Sequence, residues 1–157
     1  MLLIALPWLN PFASGPAPAV VPLLVSWACA ALLLGMAGFS ALRVNREQWV
    51  AGIAHAWLAA ALLSSGMGLL QYFGLAQHLA PWVSTGTVGE AFANLRQRNQ
   101  FATLTNMALA ALCWVVVQAK PGVAAVGWTL RWWPAVAALV LAAGNAASSS
   151  RTGFLQL

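Results

Sequence analysis

The sequence contains four long apolar stretches, at about residues 20–42, 49–73, 99–119 and 131–147. An α-helix needs about 20 mostly apolar residues to cross the hydrocarbon core of a bilayer. Charged residues make up only 6% of the 157 residues, whereas about a quarter of an average soluble domain is charged. We therefore predict an all-α, polytopic membrane helix bundle with about four full spans, and we exclude soluble enzymes, nucleic-acid-binding proteins and disordered tails.

Shorter apolar segments flank these stretches and predict partial spans at both ends of the chain. Residues 2–9 are too short to cross a bilayer and precede a Pro- and Gly-rich segment, and residues 154–157 begin another apolar run. A cleavable signal peptide is an alternative for the first segment, because residues 17–19 (APA) resemble a cleavage site. We expect residues 1–157 to form a single transmembrane domain, the N-terminal part of a larger polytopic protein.

The basic residues indicate the orientation of the spans. The short loops at 43–48 and 120–131 contain four of the seven basic residues, and short cytoplasmic loops carry an excess of Lys and Arg. With these loops inside, the long polar loop at about 74–98 lies outside, together with Arg96, Arg98 and Arg151. Because basic residues on the outer side oppose the usual bias, we predict that these three have a function other than setting the topology.

The richest polar segment is residues 94–103 (NLRQRNQFAT), which ends the outer loop and opens the third span. Asn99, Thr103 and Asn106 follow one another at helical spacing and therefore share one helix face. Polar side chains in a spanning helix face a partner helix or a watery cavity. Hydrogen bonding between helices is the simpler interpretation, but it does not account for the arginines and amides just before the helix.

A second polar segment, residues 147–153 (ASSSRTG), ends the fourth span on the same side. Three guanidinium groups at one membrane face suit a diphosphate, because arginine forms bidentate, permanently charged contacts with phosphate oxygens. The alternative for each arginine is an interfacial side chain that reaches out of the membrane.

The remaining candidates are isolated. His55 lies mid-span and is better interpreted as a hydrogen-bond donor between helices than as a metal ligand, and His78 as a solvated loop residue. Glu47 and Glu90 are the only acids and lie on opposite sides, so they cannot form a catalytic carboxylate pair. We predict no metal site. Small residues at 64–68 predict close contact between helices.

At these two polar segments the sequence resembles the bacterial O-antigen ligase and protein O-oligosaccharyltransferase superfamily, most closely its PglL-type branch. The resemblance is carried by residues 94–103 and 150–153, with further similarity at 69–74 (LLQYFG) and 6–11 (LPWLNP). It runs through nearly the whole chain, but only as the N-terminal part of a larger protein.

The resemblance implies a glycosyltransferase of the bacterial inner membrane whose active face is periplasmic. Such enzymes transfer a preassembled glycan from undecaprenyl diphosphate to an acceptor hydroxyl, without a metal or cofactor. The acceptor is a Ser or Thr of a protein in the PglL branch and a lipid A-core sugar in the ligase branch. The implied partners are thus the donor, one of these acceptors and the lipid bilayer, and no nucleic acid.

The resemblance also implies roles for individual residues. Arg151 by motif, and Arg96 and Arg98 by position, correspond to arginines that hold the donor diphosphate. We expect a second set of polar residues to support these arginines: Gln71, Gln97, Asn99, Gln100 and Ser150. The family's catalytic histidine lies in a later periplasmic loop that this sequence lacks, so the catalytic residues remain unknown.

Two other classes of function compete with this interpretation, a small transport or channel subunit and a non-catalytic helical scaffold. A transport pathway predicts that polar side chains continue through the membrane along several helices. A glycan transferase predicts that they are confined to the outer third, as the apolar inner halves of the first, third and fourth spans favour.

Overall fold

The computed structural model describes residues 1–10, 20–40, 45–95, 97–119 and 132–149. Within these ranges the chain forms five α-helices and one short 3₁₀ helix, and no strand. The helices are α1 (Leu2–Leu9), α2 (Val20–Ser40), α3 (Arg46–Tyr72), the 3₁₀ helix (Ala76–Leu79), α4 (Arg98–Gln118) and α5 (Trp133–Ala147). The all-α prediction agrees with this part of the chain.

Three of the helices are long and apolar enough to cross a membrane, namely α2, α3 and α4. They coincide with the first three predicted spans to within a few residues. The fourth predicted span corresponds to α5, which has 15 residues and a described length of about 22 Å. That is shorter than a bilayer core, so the crossing of the membrane by α5 remains a prediction.

Helix α3 has well-defined ends. At its start the side chain of Asn45 accepts a hydrogen bond from the backbone N–H of Glu47, whose negative charge suits the positive end of the helix dipole. At its other end Gly74 adopts a left-handed conformation with φ of 75°. The N–H of Leu75 donates to the carbonyl of Leu70, and that of Gly74 to the carbonyl of Gln71. This is a Schellman ending, and it directs the chain away from the helix axis.

Helices α3, α4 and α5 pack against one another around Phe101, Leu104 and Leu141, which are completely buried. Small residues allow the close approach, as predicted, at Ser65 and Gly68, but not at Gly66, where a Cβ atom would meet nothing within 4 Å. A Cβ atom at Gly68 would lie 3.0 Å from the Phe101 ring, and one at Gly144 would lie 2.6 Å from the Ser65 hydroxyl. In lipid such packing, rather than apolar burial from water, holds helices together.

Helix α2 packs against the short helix α1, and its apolar span is almost entirely exposed. His55 of α3 is exposed too, and its Nδ1 lies 2.7 Å from the carbonyl oxygen of Ala51 in the same helix. Among the described residues the expected hydrogen bond from His55 to a neighbouring helix is not formed, because the imidazole reaches back to its own preceding turn.

Candidate functional site

The connecting loop, residues 73–97, joins α3 to α4 and covers one end of the bundle, which we call the loop end. Gln71, in the last turn of α3, holds this loop in place through hydrogen bonds to its backbone. Its Nε2 donates to the carbonyls of Ser84 (2.6 Å) and Ala93 (2.7 Å). Its Oε1 accepts from the backbone N–H groups of Phe92 (3.0 Å) and Ala93 (2.7 Å). The amide thus uses two donors and both acceptor lone pairs, its full capacity.

Asn94 performs the same task from within the loop. Its Oδ1 accepts from the N–H of Ser84 (2.9 Å). Its Nδ2 donates to the carbonyls of Trp82 (2.9 Å) and Leu9 (3.2 Å). The bond to Leu9 ties the end of α1 to the loop. Because Gln71 and Asn94 are 1% and 3% exposed, both amides are part of the interior that positions the residues after them.

The residues after Asn94 are exposed and open α4. Gln97 precedes the helix and Arg98 is its first residue, and the Gln97 side chain does not cap the helix. The first N–H groups of a helix have no partner within it, and its dipole favours anions there. An arginine at this position adds to the positive potential instead of neutralising it. The start of α4 therefore suits an anionic ligand.

A polar cleft of about 490 Å³ opens at this helix start. One wall is the Phe92 ring, which lies so close to Gly86 that a Cβ atom there would be 2.6 Å from its Cε1. The lining residues are Glu90, Phe92, Gln97, Arg98 and Asn99. The guanidinium and the amide N–H groups can donate hydrogen bonds to phosphate oxygens. The carboxylate and the amide oxygens can accept hydrogen bonds from hydroxyl groups.

Arg98 has a partner in this cleft. Its Nη1 lies 3.2 Å from Oε1 of Glu90, and the two side chains are 48% and 41% exposed. The other carboxylate oxygen of Glu90 accepts a hydrogen bond of 3.0 Å from the Thr87 hydroxyl. Ion pairs as exposed as this one contribute at most about 1 kcal/mol to stability, so the guanidinium remains accessible to a stronger ligand.

The predicted site residues divide into three groups. Gln97, Arg98 and Asn99 line the cleft, with Gln100 exposed in the same helical turn. Gln71 is buried beneath the loop. Arg96, Ser150 and Arg151 lie outside the described residues, so the convergence of three arginines remains a prediction.

The described ion-pair partner of Arg98 is Glu90 and not one of the amides that we expected to hold it. Sequence reasoning gave no role in this site to Glu90 or to Asn94. The signal for Glu90 was present, because it is the only acid that the predicted topology places on the arginine side. No sequence pattern distinguishes Asn94, which is buried, from Asn99, which is exposed.

The polar face of α4 continues toward the bundle interior. The side chain of Thr103 donates to the carbonyl of Asn99 in its own helix. Asn145 of α5 donates from Nδ2 to Oδ1 of Asn106 at 2.9 Å. Asn106 and Asn145 thus pair with each other, so hydrogen bonding between helices, the simpler interpretation of the sequence, explains this part of the polar face.

Comparison with known proteins gives one match. The sequence model of a family described as protein glycosylation ligase matches residues 91–115, which are the end of the connecting loop and most of α4. No curated protein and no solved structure matches the chain. Among the described residues no group of three His, Cys, Asp or Glu side chains could hold a metal ion.

Proposed function

We propose that this chain is the membrane portion of a glycosyltransferase that moves a preassembled glycan from undecaprenyl diphosphate to an acceptor hydroxyl at the periplasmic face. One observation carries the proposal. The match to a protein glycosylation ligase family covers residues 91–115, the segment that supplies four of the five residues lining the cleft, Arg98 among them.

The chemistry of the cleft supports a role in binding the donor. Transfer of the glycan breaks the bond between its first sugar and the diphosphate, which leaves with developing negative charge. Fixed cations and helix N-terminal N–H groups stabilise such charge, and loss of one comparable donor in other enzymes costs about 3 kcal/mol of activation free energy. Arg98 supplies the cation and the start of α4 supplies the N–H groups.

The family description favours a protein as the acceptor, so we propose transfer to a Ser or Thr hydroxyl. A lipid A-core sugar is the second candidate, because the wider superfamily that the sequence resembles includes O-antigen ligases. The two acceptors differ in product, a glycosylated protein or an extended lipopolysaccharide.

The distribution of buried polar side chains favours a transferase over a transport pathway. Among the described parts of α3, α4 and α5 these side chains are Ser64, Ser65, Gln71, Thr105 and Asn145. All lie within about 12 Å of the loop end, at 1.5 Å per helical residue. A pathway through the membrane needs polar groups along its whole length, whereas a site at one face needs them at one end.

Replacement of Arg98 tests the proposal. In cells that express the chain at its native locus, we expect Arg98→Ala to lower glycan transfer about 100-fold, the effect of losing one charge-stabilising donor. The measurement is the amount of glycan on proteins, by gel shift and glycan stain, beside the banding of lipopolysaccharide. Arg46→Ala is the matched control, since Arg46 is an exposed arginine at the opposite end of α3. Unchanged transfer in Arg98→Ala would contradict the proposal.

A further inference from the structure

Glu90, which lines the cleft, has a partner at each of its two carboxylate oxygens. One oxygen contacts Arg98 at 3.2 Å and the other accepts a hydrogen bond from Thr87 at 3.0 Å. The backbone around it is also defined, since the N–H of Glu90 donates to the carbonyl of Thr87 and that of Gly89 to the carbonyl of Tyr72. The carboxylate therefore has a definite position against the guanidinium.

This position places a negative charge where an anionic ligand of Arg98 would bind. Two negative groups on one guanidinium repel each other at contact distance, although water weakens this repulsion because both side chains are nearly half exposed. A diphosphate, however, carries more charge than a carboxylate and engages arginine with two oxygens. The ligand and Glu90 thus compete for Arg98, and the ligand is the stronger competitor.

The ion pair between Arg98 and Glu90 requires little free energy to separate. Both side chains are nearly half exposed, and an exposed ion pair of this kind is weak. Glu90 follows Gly89, whose φ of 90° belongs to a region that glycine adopts without strain. When the carboxylate leaves Arg98 and Thr87 it turns into water, and because both partners are exposed, no buried group loses a hydrogen bond.

We propose that Thr87, Glu90 and Arg98 form a carboxylate latch, an autoinhibitory contact that occupies Arg98 until a diphosphate group displaces Glu90. The inference rests on the proposed function, because it assumes that Arg98 is a ligand of the diphosphate. The latch prevents weaker anions, such as single phosphate or carboxylate groups, from occupying the site. It therefore raises the selectivity of Arg98 for diphosphate over these weaker anions, and it lowers the affinity for diphosphate itself.

The experiment measures binding of inorganic diphosphate to the full chain in lipid nanodiscs by isothermal titration calorimetry. We expect Glu90→Gln, which keeps the shape of the side chain and removes its charge, to bind diphosphate three- to tenfold more tightly than the wild type. Thr87→Val, which removes one hydrogen bond to Glu90, gives a smaller gain. Glu47→Gln is the matched control, because it removes the same charge at the far end of α3, about 38 Å away, and leaves the affinity unchanged.

The variant Arg98→Gln distinguishes a failure of the proposed latch from a failure of the proposed diphosphate site. If Arg98→Gln loses binding while Glu90→Gln binds as the wild type does or more weakly, the diphosphate site stands and the latch is wrong, since Glu90 would then hold Arg98 in place for the ligand. If Arg98→Gln binds diphosphate as tightly as the wild type, or if neither the wild type nor Glu90→Gln binds it, the diphosphate site is wrong and the latch with it. An equal gain in Glu47→Gln would reduce the effect to net charge and also overturn the latch.

Discussion

Two sets of polar side chains lie at the loop end of the bundle. They contain similar amide groups but differ in burial and in hydrogen-bond partners. Gln71 and Asn94 are buried and bonded to backbone groups of the connecting loop. Gln97 and Gln100, only a few residues further on, are exposed. The same amide group is a structural element in the first set and a surface group beside the cleft in the second. Burial of the amide, and not its chemistry, decides which role it has.

The physical reason lies in the cost of an unsatisfied polar group. A buried amide that lacks its hydrogen bonds destabilises the fold, so the bonds that Gln71 and Asn94 make fix the loop that surrounds them. An exposed amide or guanidinium exchanges its partners with water at little cost. Only the exposed set is free to bind a ligand, and it depends on the buried set for its position.

Removal of a buried amide is the strongest test of whether burial separates the roles of the two sets. We expect Gln71→Leu to lower the free energy of unfolding by about 3 kcal/mol or more, because two carbonyls and two N–H groups of the loop lose their partner, at about 1–3 kcal/mol for each buried group. Thermal unfolding in detergent measures the loss, and hydrogen exchange at the Phe92 and Ala93 amides locates it.

Gln100→Leu provides the matched control for that measurement, since the same substitution at an exposed position should change stability by less than about 0.5 kcal/mol. Equal losses of stability in the two variants would show that burial does not separate the two sets of amides.

A second prediction extends the comparison from polar groups to glycines. Gly144→Ala places a Cβ atom 2.6 Å from the Ser65 hydroxyl, and overpacking of this kind costs about 1–3 kcal/mol. Gly66→Ala meets nothing within 4 Å and should stabilise α3 by about 0.5–1 kcal/mol, the usual gain from glycine to alanine within a helix. Melting temperatures that fall for the first variant and rise for the second confirm the helix contact; a fall in both would place Gly66 at an interface as well.

The smallest expected effect concerns the pair that joins α4 to α5. A double-mutant cycle with Asn106→Ala and Asn145→Ala should give a coupling free energy of about 0.6 kcal/mol, and at most about 1.7, as for other hydrogen bonds between membrane helices. Equilibrium unfolding of the four proteins in mixed micelles measures it. Additive losses would mean that the 2.9 Å bond contributes nothing of its own to the association of the helices.

The helices were predictable because their signal is local. Apolar runs long enough to cross a bilayer placed α2, α3 and α4 to within a few residues, and the polar loop between α3 and α4 stood out by composition. The small residues Ser65 and Gly68 were also recognised as helix contacts. The family match at residues 91–115 lies on the segment that the sequence marked as its richest polar motif.

The roles of single polar side chains were not predictable to the same degree. The sequence alone determined that the described part of this chain is helical and suited to a membrane, and where the polar segment at residues 94–103 begins, because hydropathy and helical spacing are properties of neighbouring residues. Only the tertiary structure decided that Asn94 bonds to Leu9, 85 residues away, that Asn145 pairs with Asn106 and that Glu90 faces Arg98. These contacts depend on how the ends of several helices pack together. That packing determines which polar side chains are already bonded within the chain and which remain available to a ligand.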